Sequence, residues 1–148
     1  MEINNKIRLE FLSLSQNESF ARSVVSCFAL QLNPSVSQIA DIKTAVSEAV
    51  TNAIVHGYPN GVGEVVIEAE LSQGKIHINV FDDGVGIENL TEALEPFYTT
   101  KPDDERSGMG FTIMKSFMDE VKVISEKGKG TKIYMSKNLT ADRVGVKC

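Results

Sequence analysis

Two alternating runs stand back to back near the middle of the chain and leave little choice of architecture. Residues 64–71 put Val65, Ile67, Ala69 and Leu71 on one side, and residues 75–82 repeat the pattern with Ile76, Ile78 and Val80. A period of two places successive side chains on opposite faces, so each run reads as a strand with one buried face. Ser72-Gln73-Gly74 alone separates them, which makes the pair an antiparallel hairpin. A second hairpin follows in Val121–Ser125, a Gly128-Lys129-Gly130 turn and Thr131–Met135. Residues 7–14, with Ile7, Leu9 and Phe11 against Arg8 and Glu10, supply one more half-buried strand.

The segments between these strands carry a helical period. Ser15-Gln16-Asn17-Glu18 reads as a capping box, and Phe20, Val24, Phe28 and Leu32 then recur every fourth residue, so a helix is expected over residues 16–32. Asn33-Pro34 suggests a cap and a first-turn proline for a second helix. Its apolar stripe is Ile39, Ile42, Val46, Ala49, Val50, Ala53 and Ile54, and Gly57, Pro59, Asn60 and Gly61 stop it. A polar, glycine-rich segment from Asp82 to Gly108, with a short helix near residues 89–94, leads to a third helix over about Met109–Met118. The order strand, helix, helix, two strands, helix, two strands predicts an α/β two-layer sandwich: a mixed, mainly antiparallel sheet with its helices on one face.

At 148 residues, 42% hydrophobic and 24% charged, the chain fits one globular domain over residues 1–148, with a loosely held tail from Lys137. A net charge of −5 with scattered lysines and arginines disfavours direct nucleic-acid binding. Cys27 and Cys148 form no disulfide framework and no zinc spacing, which suits a reducing compartment. The opening MEINNKIRLEF lacks the apolar block of a secretory signal, and no run approaches the ~20 apolar residues of a membrane span. A cytoplasmic location with no membrane contact is the expectation.

Three polar clusters interrupt this pattern. In SEAVTNAIVHGY, Glu48 and Asn52 lie four apart and share a helix face. They are either a solvated polar edge or a functional pair, in which the Asn52 amide oxygen could hold a magnesium ion and the Glu48 carboxylate could take a proton from a hydroxyl. His56, nearby, reads as a helix-end residue. In VFDDGVGI, Asp82 ends a strand and Gly84 and Gly86 follow at alternate positions. That is ordinary turn chemistry, or else a place where a flat ring meets bare backbone and a carboxylate accepts from an exocyclic amine.

In RSGMGF, Gly108 and Gly110 stand at a helix start behind Arg106, with Lys101 upstream. A cation at the positive end of a helix is unfavourable unless an anion joins it, so the stretch is either a flexible turn or a phosphate cradle. A metal ligand, a base reader and a phosphate cradle, in that order, are the parts of a nucleoside-triphosphate site. The chain has no GxxxxGK(S/T) loop, VAIK lysine or HRD triplet, so it is neither a P-loop protein nor an ordinary eukaryotic-type kinase.

Glu48-x-x-x-Asn52, Asp82-x-Gly84-x-Gly86, Gly108-x-Gly110 and Gly128-x-Gly130-Thr131 resemble the four boxes of the gyrase, Hsp90, histidine-kinase and MutL ATPase superfamily. Within it, NESFAR, VSEAVTNAIVHGY, TTKP, ERSGMGFTIM and MDEV resemble the anti-sigma F factors of spore-forming bacteria, its serine-kinase branch, over about residues 6–136. The resemblance implies a Bergerat-type fold, ATP with Mg2+, a homodimer, and two protein partners. These are a sporulation sigma factor, which is inhibited, and an anti-anti-sigma protein, which is phosphorylated on serine.

Carried onto this chain, the resemblance makes Glu48 the catalytic base and Arg106 the residue that neutralises the terminal phosphate. Asn52 would hold the metal, and Asp82 would bind the adenine amine with Gly84, Gly86 and Thr131 nearby. Thr99, Lys101, Ser107, Gly108, Met109 and Gly110 would complete the nucleotide contacts, and Arg22 would touch a partner. A related kinase acting on a general-stress sigma factor is the alternative within the family. A histidine-kinase ATPase domain would need a phosphoacceptor on a dimerising helix pair, whereas His56 and His77 are expected at a helix end and inside a strand. A protein that only binds its partners, with nucleotide setting its shape, is a third reading.

Overall fold

The computed structural model describes residues 4–87, 94 and 110–139. Strand β1 (Asn5–Leu12) is followed by helix α1 (Gln16–Ala29), a 3-10 turn (Leu30–Leu32) and helix α2 (Val36–Thr51), which runs on into a π-helical turn (Asn52–Gly57). Strands β2 (Glu64–Ser72) and β3 (Lys75–Asp82) come next, then helix α3 (Gly110–Phe117) and strands β4 (Glu120–Ser125) and β5 (Thr131–Asn138). The sheet order is β1-β2-β3-β5-β4, and every pairing in it is antiparallel. The mixed component expected from the sequence is therefore absent among the described residues. The short helix expected near residues 89–94 falls outside them, apart from Leu94, which sits in a turn against the core.

Both hairpins form as the alternation requires. Ser72 pairs with Lys75 across Gln73 (φ 53°) and Gly74 (φ 76°), two successive left-handed residues of the kind that match the twist of a hairpin. The register sets Val65, Ile67, Ala69 and Leu71 beside Asp82, Val80, Ile78 and Ile76, all on the face that α1 and α2 cover. Ile133 and Met135 extend this face through β5, while Ile7, Leu9 and Phe11 flank it through β1. The outer face carries Arg8, Glu68, Asn79 and Tyr134 in one cross-strand row.

Three local expectations need correction. The stripe of α1 is Ala21, Val25, Phe28 and Ala29, one residue round from the Phe20 series, and Phe20 itself is 55% exposed. Ala21, Val25, Phe28 and Ala29 join Ala45, Val46 and Ala49 of α2 in the core, so small side chains make up much of the helix layer.

The capping box also lies elsewhere. Ser15 has helical backbone (φ −58°, ψ −30°), so its hydroxyl caps nothing, and Glu18 faces Arg22 instead, with Oε2 3.6 Å from Nε. Ser35 has the extended backbone that capping needs. Its Oγ accepts from Gln38 N at 3.1 Å, while Gln38 Oε1 accepts from Ser35 N at 2.9 Å. Asn33, in the left-handed region at φ 57°, closes the 3-10 turn, and Pro34 therefore precedes the cap rather than opening the helix.

Finally, β5 reaches Asn138, beyond the expected end at Met135. Lys137 donates to Phe117 O at 2.8 Å and pairs with Asp41, and Leu139 is fully buried with its amide on Gly74 O. Only residues 140–148 of the expected tail lie outside the described chain.

Candidate active site

The end of β3 is the most constrained part of the molecule. Asp82 is 6% exposed and faces the helix layer, where its Oδ1 accepts from Gly84 N at 2.9 Å. Burial and the neighbouring Asp83 push its carboxyl up to about 6, against hydrogen bonds from the backbone of Gly84 and Thr131 that pull it down.

Glycines surround this carboxylate for steric reasons. A Cβ on Gly57 would sit 2.9 Å from Asp82 Oδ1, and one on Gly84 would run into Gly57 O. Gly86 (φ +74°) and Gly130 (φ +79°) are left-handed, and side chains there would strike Glu126 O and Asp82 O. The D-x-G-x-G spacing and the G-x-G-T turn thus form one packed unit, with backbone against backbone around a carboxylate. A buried carboxylate held only by neutral backbone donors is costly, and a ligand that brings a further N–H donor would relieve it.

The second grouping lies along α2. Its last α-helical residue is Thr51; Asn52 then opens the π turn, with its amide still directed at Glu48 O and Ala49 O. Asn52 keeps helical dihedrals, so it remains one turn from Glu48 on the same face. Glu48 Oε2 would be 3.5 Å from a Cβ on Gly110, so this carboxylate lies against the first residue of α3. Single π turns inside helices recur at functional sites. Here the turn begins at Asn52 and ends at Gly57, whose backbone abuts Asp82, and so joins the two groupings over roughly 7 Å of helix axis.

Thr131 pairs with Asp82 across the β3–β5 ladder and is 3% exposed. Thr99, Lys101, Arg106, Ser107, Gly108 and Met109 all lie outside the described residues. Arg22 is a half-exposed residue of α1 beside Glu18. His56 belongs to the π turn and His77 to β3, opposite Glu70 and Ser136; neither is on a helix pair suited to phosphoacceptor duty.

Sequence reasoning missed three contributors. Gly57 read only as a helix stop, although it packs on the Asp82 carboxylate. Tyr58 Oη donates to Glu64 O at 2.6 Å and accepts from Asp83 N at 2.8 Å, fastening the loop after α2 to the D-x-G segment. Ser125 Oγ accepts from Ile87 N at 2.8 Å and lies 2.7 Å from Thr131 Oγ1. Gly57 and Tyr58 close the SEAVTNAIVHGY stretch with no role assigned there, Ser125 lies in no motif, and only the fold shows what each one touches.

The residues present suit a nucleotide with magnesium. Asp82 offers a carboxylate acceptor among glycines that carry no side chain, which fits a flat base carrying an amine. Among the described residues no cluster of His, Cys, Asp and Glu could cage a metal. A single amide oxygen such as that of Asn52 matches magnesium held chiefly by phosphates and water. No described helix is long and apolar enough to cross a membrane.

Comparison with known proteins identifies the family and the fold. The histidine kinase-like ATPase domain family matches residues 13–137. An anti-sigma F factor of Thermoanaerobacter sp. (strain X514) is 55% identical over 143 residues, 97% of this chain and 100% of its own. One from Clostridium perfringens (strain SM101) is 59% identical over 138 residues, covering 93% and 99%.

Among solved structures, the RsbU and RsbW domains of a Mycobacterium tuberculosis protein superpose with a TM-score of 0.65 at 20% identity, over 91% of this chain and 32% of that one. The catalytic domain of the histidine kinase ThkA does so with 0.56 at 17%, over 90% and 96%, and both likenesses speak to the fold. Identity above one half along nearly the whole length, on a histidine kinase-like ATPase fold, makes this chain a member of the anti-sigma F factor family.

Proposed function

We propose that the protein binds and inhibits a sporulation sigma factor, and that it uses Mg-ATP to phosphorylate an anti-anti-sigma protein on serine, so that phosphorylation controls sigma release. It acts as a cytoplasmic homodimer of one ATP-binding domain. Sigma inhibition rests on the family; the kinase activity rests on the site as well. The observation that carries it is the Glu48 carboxylate lying against Gly110, one helical turn from Asn52.

Phosphoryl transfer demands alignment and charge neutralisation more than covalent chemistry from the protein. Asp82 accepts from the adenine amine, and Gly84, Gly86 and Thr131 border the base. Asn52 would hold magnesium, which supplies charge neutralisation at the phosphates. Gly110, with Thr99, Lys101, Arg106, Ser107, Gly108 and Met109 of the segment before it, would line the phosphates. Glu48 orients the incoming serine hydroxyl and takes its proton. A carboxylate suffices if the proton leaves late, as a loose transition state allows. Arg22 offers a partner contact on the exposed side of α1.

Incubation of the protein with labelled ATP and its anti-anti-sigma partner tests the reading. Acid-stable phosphoserine should form on the partner. Glu48→Gln should retain nucleotide binding and lose transfer by about 100-fold or more, the usual scale of general-base loss. Full transfer by that variant would remove Glu48 from the chemistry, and acid-labile phosphate would point to a histidine kinase instead.

A further inference from the structure

Strand β2 begins one residue before its pairing with β3 does. Glu64 pairs with Leu12 of β1, whereas the β2–β3 ladder ends at Val65 and Asp82. The register makes Asp83 the next partner of Glu64. A two-residue turn closes this hairpin at Ser72 and Lys75, so that pair exchanges backbone hydrogen bonds and every second pair after it does likewise. Glu64 and Asp83 fall on this alternation, and Asp83 N would donate to Glu64 O if the ladder ran on. Instead the Tyr58 hydroxyl stands between them, accepting from Asp83 N at 2.8 Å and donating to Glu64 O at 2.6 Å. An oxygen is spliced into the ladder, and both backbone groups stay satisfied while the strands part.

The rest of Tyr58 is held too. A Cβ on Gly63 would strike its ring, which therefore rests on bare backbone. Burial raises the phenol above its ordinary 10.0, against the bond from Asp83 N and together with the carboxylates of Asp82, Asp83 and Glu64, so the hydroxyl keeps the proton that Glu64 O accepts. Tyr58 also follows Gly57, whose backbone abuts the Asp82 carboxylate and whose carbonyl accepts from Val85 N at 2.8 Å. It thus joins the backbone packed on Asp82 to the backbone that leaves it.

We propose that Tyr58 is a positioning residue for base recognition: its hydroxyl, a spacer in the β2–β3 ladder, parts Asp83 from β2 and so sets where the Asp82 carboxylate points. The inference rests on the nucleotide reading of the site and adds to it a residue that acts through Asp82. Without the hydroxyl, Asp83 N and Glu64 O would close on each other as an ordinary ladder pair and draw the D-x-G segment toward β2.

The test is a double-mutant cycle of Tyr58→Phe and Asp82→Asn in the full chain, read as equilibrium binding of Mg-ATP and Mg-GTP. Tyr58→Phe keeps the ring on Gly63 and loses one oxygen. It should weaken ATP by about 5–10-fold, the worth of one hydrogen bond, and GTP by less than about twofold. In the Asp82→Asn background the same change should cost ATP less than about twofold, since no carboxylate remains to be aimed. Both nucleotides report on folded molecules, so a loss of stability alone moves neither the ratio nor the coupling. In the transfer assay the loss should appear in KM for ATP, with kcat held within about twofold.

An unchanged ATP affinity in Tyr58→Phe, equal weakening of ATP and GTP, or full additivity with Asp82→Asn overturns the role of Tyr58. A fall in kcat in place of the rise in KM does the same. If Asp82→Asn still weakens ATP in those cases, only the Tyr58 inference fails. If ATP binds wild type and Asp82→Asn alike, or binds neither, the nucleotide reading fails and takes this one with it.

Discussion

Asp82 holds a negative charge where the protein has removed most of its water. Its carboxyl is pushed up to about 6 in the folded chain, against an ordinary 3.8, chiefly by burial. The folded state therefore binds this proton more tightly than the unfolded state does, and between those two values stability falls as pH rises. Above pH 6 the ionised group costs up to about 3 kcal/mol, the product of the shift and 1.36 kcal/mol per pH unit.

Asp82→Asn keeps an oxygen for Gly84 N and removes the charge. Without nucleotide it should be more stable than wild type at pH 7.5 by about 1–3 kcal/mol. The gap should narrow as pH falls through 6 toward 4, as followed by urea unfolding across that range. A variant no more stable than wild type at pH 7.5 would mean that the carboxylate is already compensated in the free protein. The same substitution should weaken ATP far more than GTP, because only the adenine amine loses its acceptor. On the proposed reading, stability is given up at a residue that pairs fully only with ligand, as strained binding sites commonly do.

Helix ends show how far the sequence alone could be read. S-x-x-E at Ser15–Glu18 and S-x-x-Q at Ser35–Gln38 carry the same signal, and only the second is used. The difference lies in the chain before each serine. Strand β1 ends at Leu12 and turns at once, with Asn17 N on Leu14 O, which draws Ser15 into helical backbone before its hydroxyl can cap. Asn33 and Pro34 deliver Ser35 in extended backbone, and Gln38 gains a third tie, from Nε2 to Asn138 O at 3.3 Å.

Ser35→Ala should therefore cost about 1 kcal/mol, a fall of roughly 2–4 °C in Tm for a domain of this size. Ser15→Ala should shift Tm by less than about 1 °C, since no cap is lost. Equal losses in thermal unfolding would show that the box at Ser35 contributes nothing special. Strands β2 and β3, by contrast, were legible almost to the residue, because their alternation records burial on one face directly, whereas β1, expected over residues 7–14, runs from Asn5 to Leu12 and β5 runs past Met135. The α1 stripe was misread by one residue because two alanines, Ala21 and Ala29, are fully buried in place of the larger Phe20.

At the scale of the molecule, the site is assembled from parts that are distant in sequence. Glu48 and Asn52 come from α2, Asp82 and its glycines from the end of β3, Thr131 from β5 and Gly110 from α3. Spacing singled them out as candidates, whereas it gave Gly57, Tyr58 and Ser125 no role, because what these three touch depends on which loops the antiparallel sheet brings together. A ligand that touches all these elements binds the folded chain and has no counterpart site in the unfolded one. It must therefore stabilise the whole fold, by about 2.7 kcal/mol at one hundred times its dissociation constant.

For a chain of 148 residues this corresponds to a rise in Tm of roughly 5–10 °C. Mg-ATP should produce that rise in wild type. EDTA should diminish it, because phosphates left without magnesium repel one another and Asn52 then loses its share of the binding. GTP at the same concentration should give a much smaller shift, since its 6-oxo group meets Asp82 acceptor to acceptor. A scan in which ATP and GTP shift Tm alike, with or without metal, would place recognition on the phosphates alone and remove Asp82 from base selection.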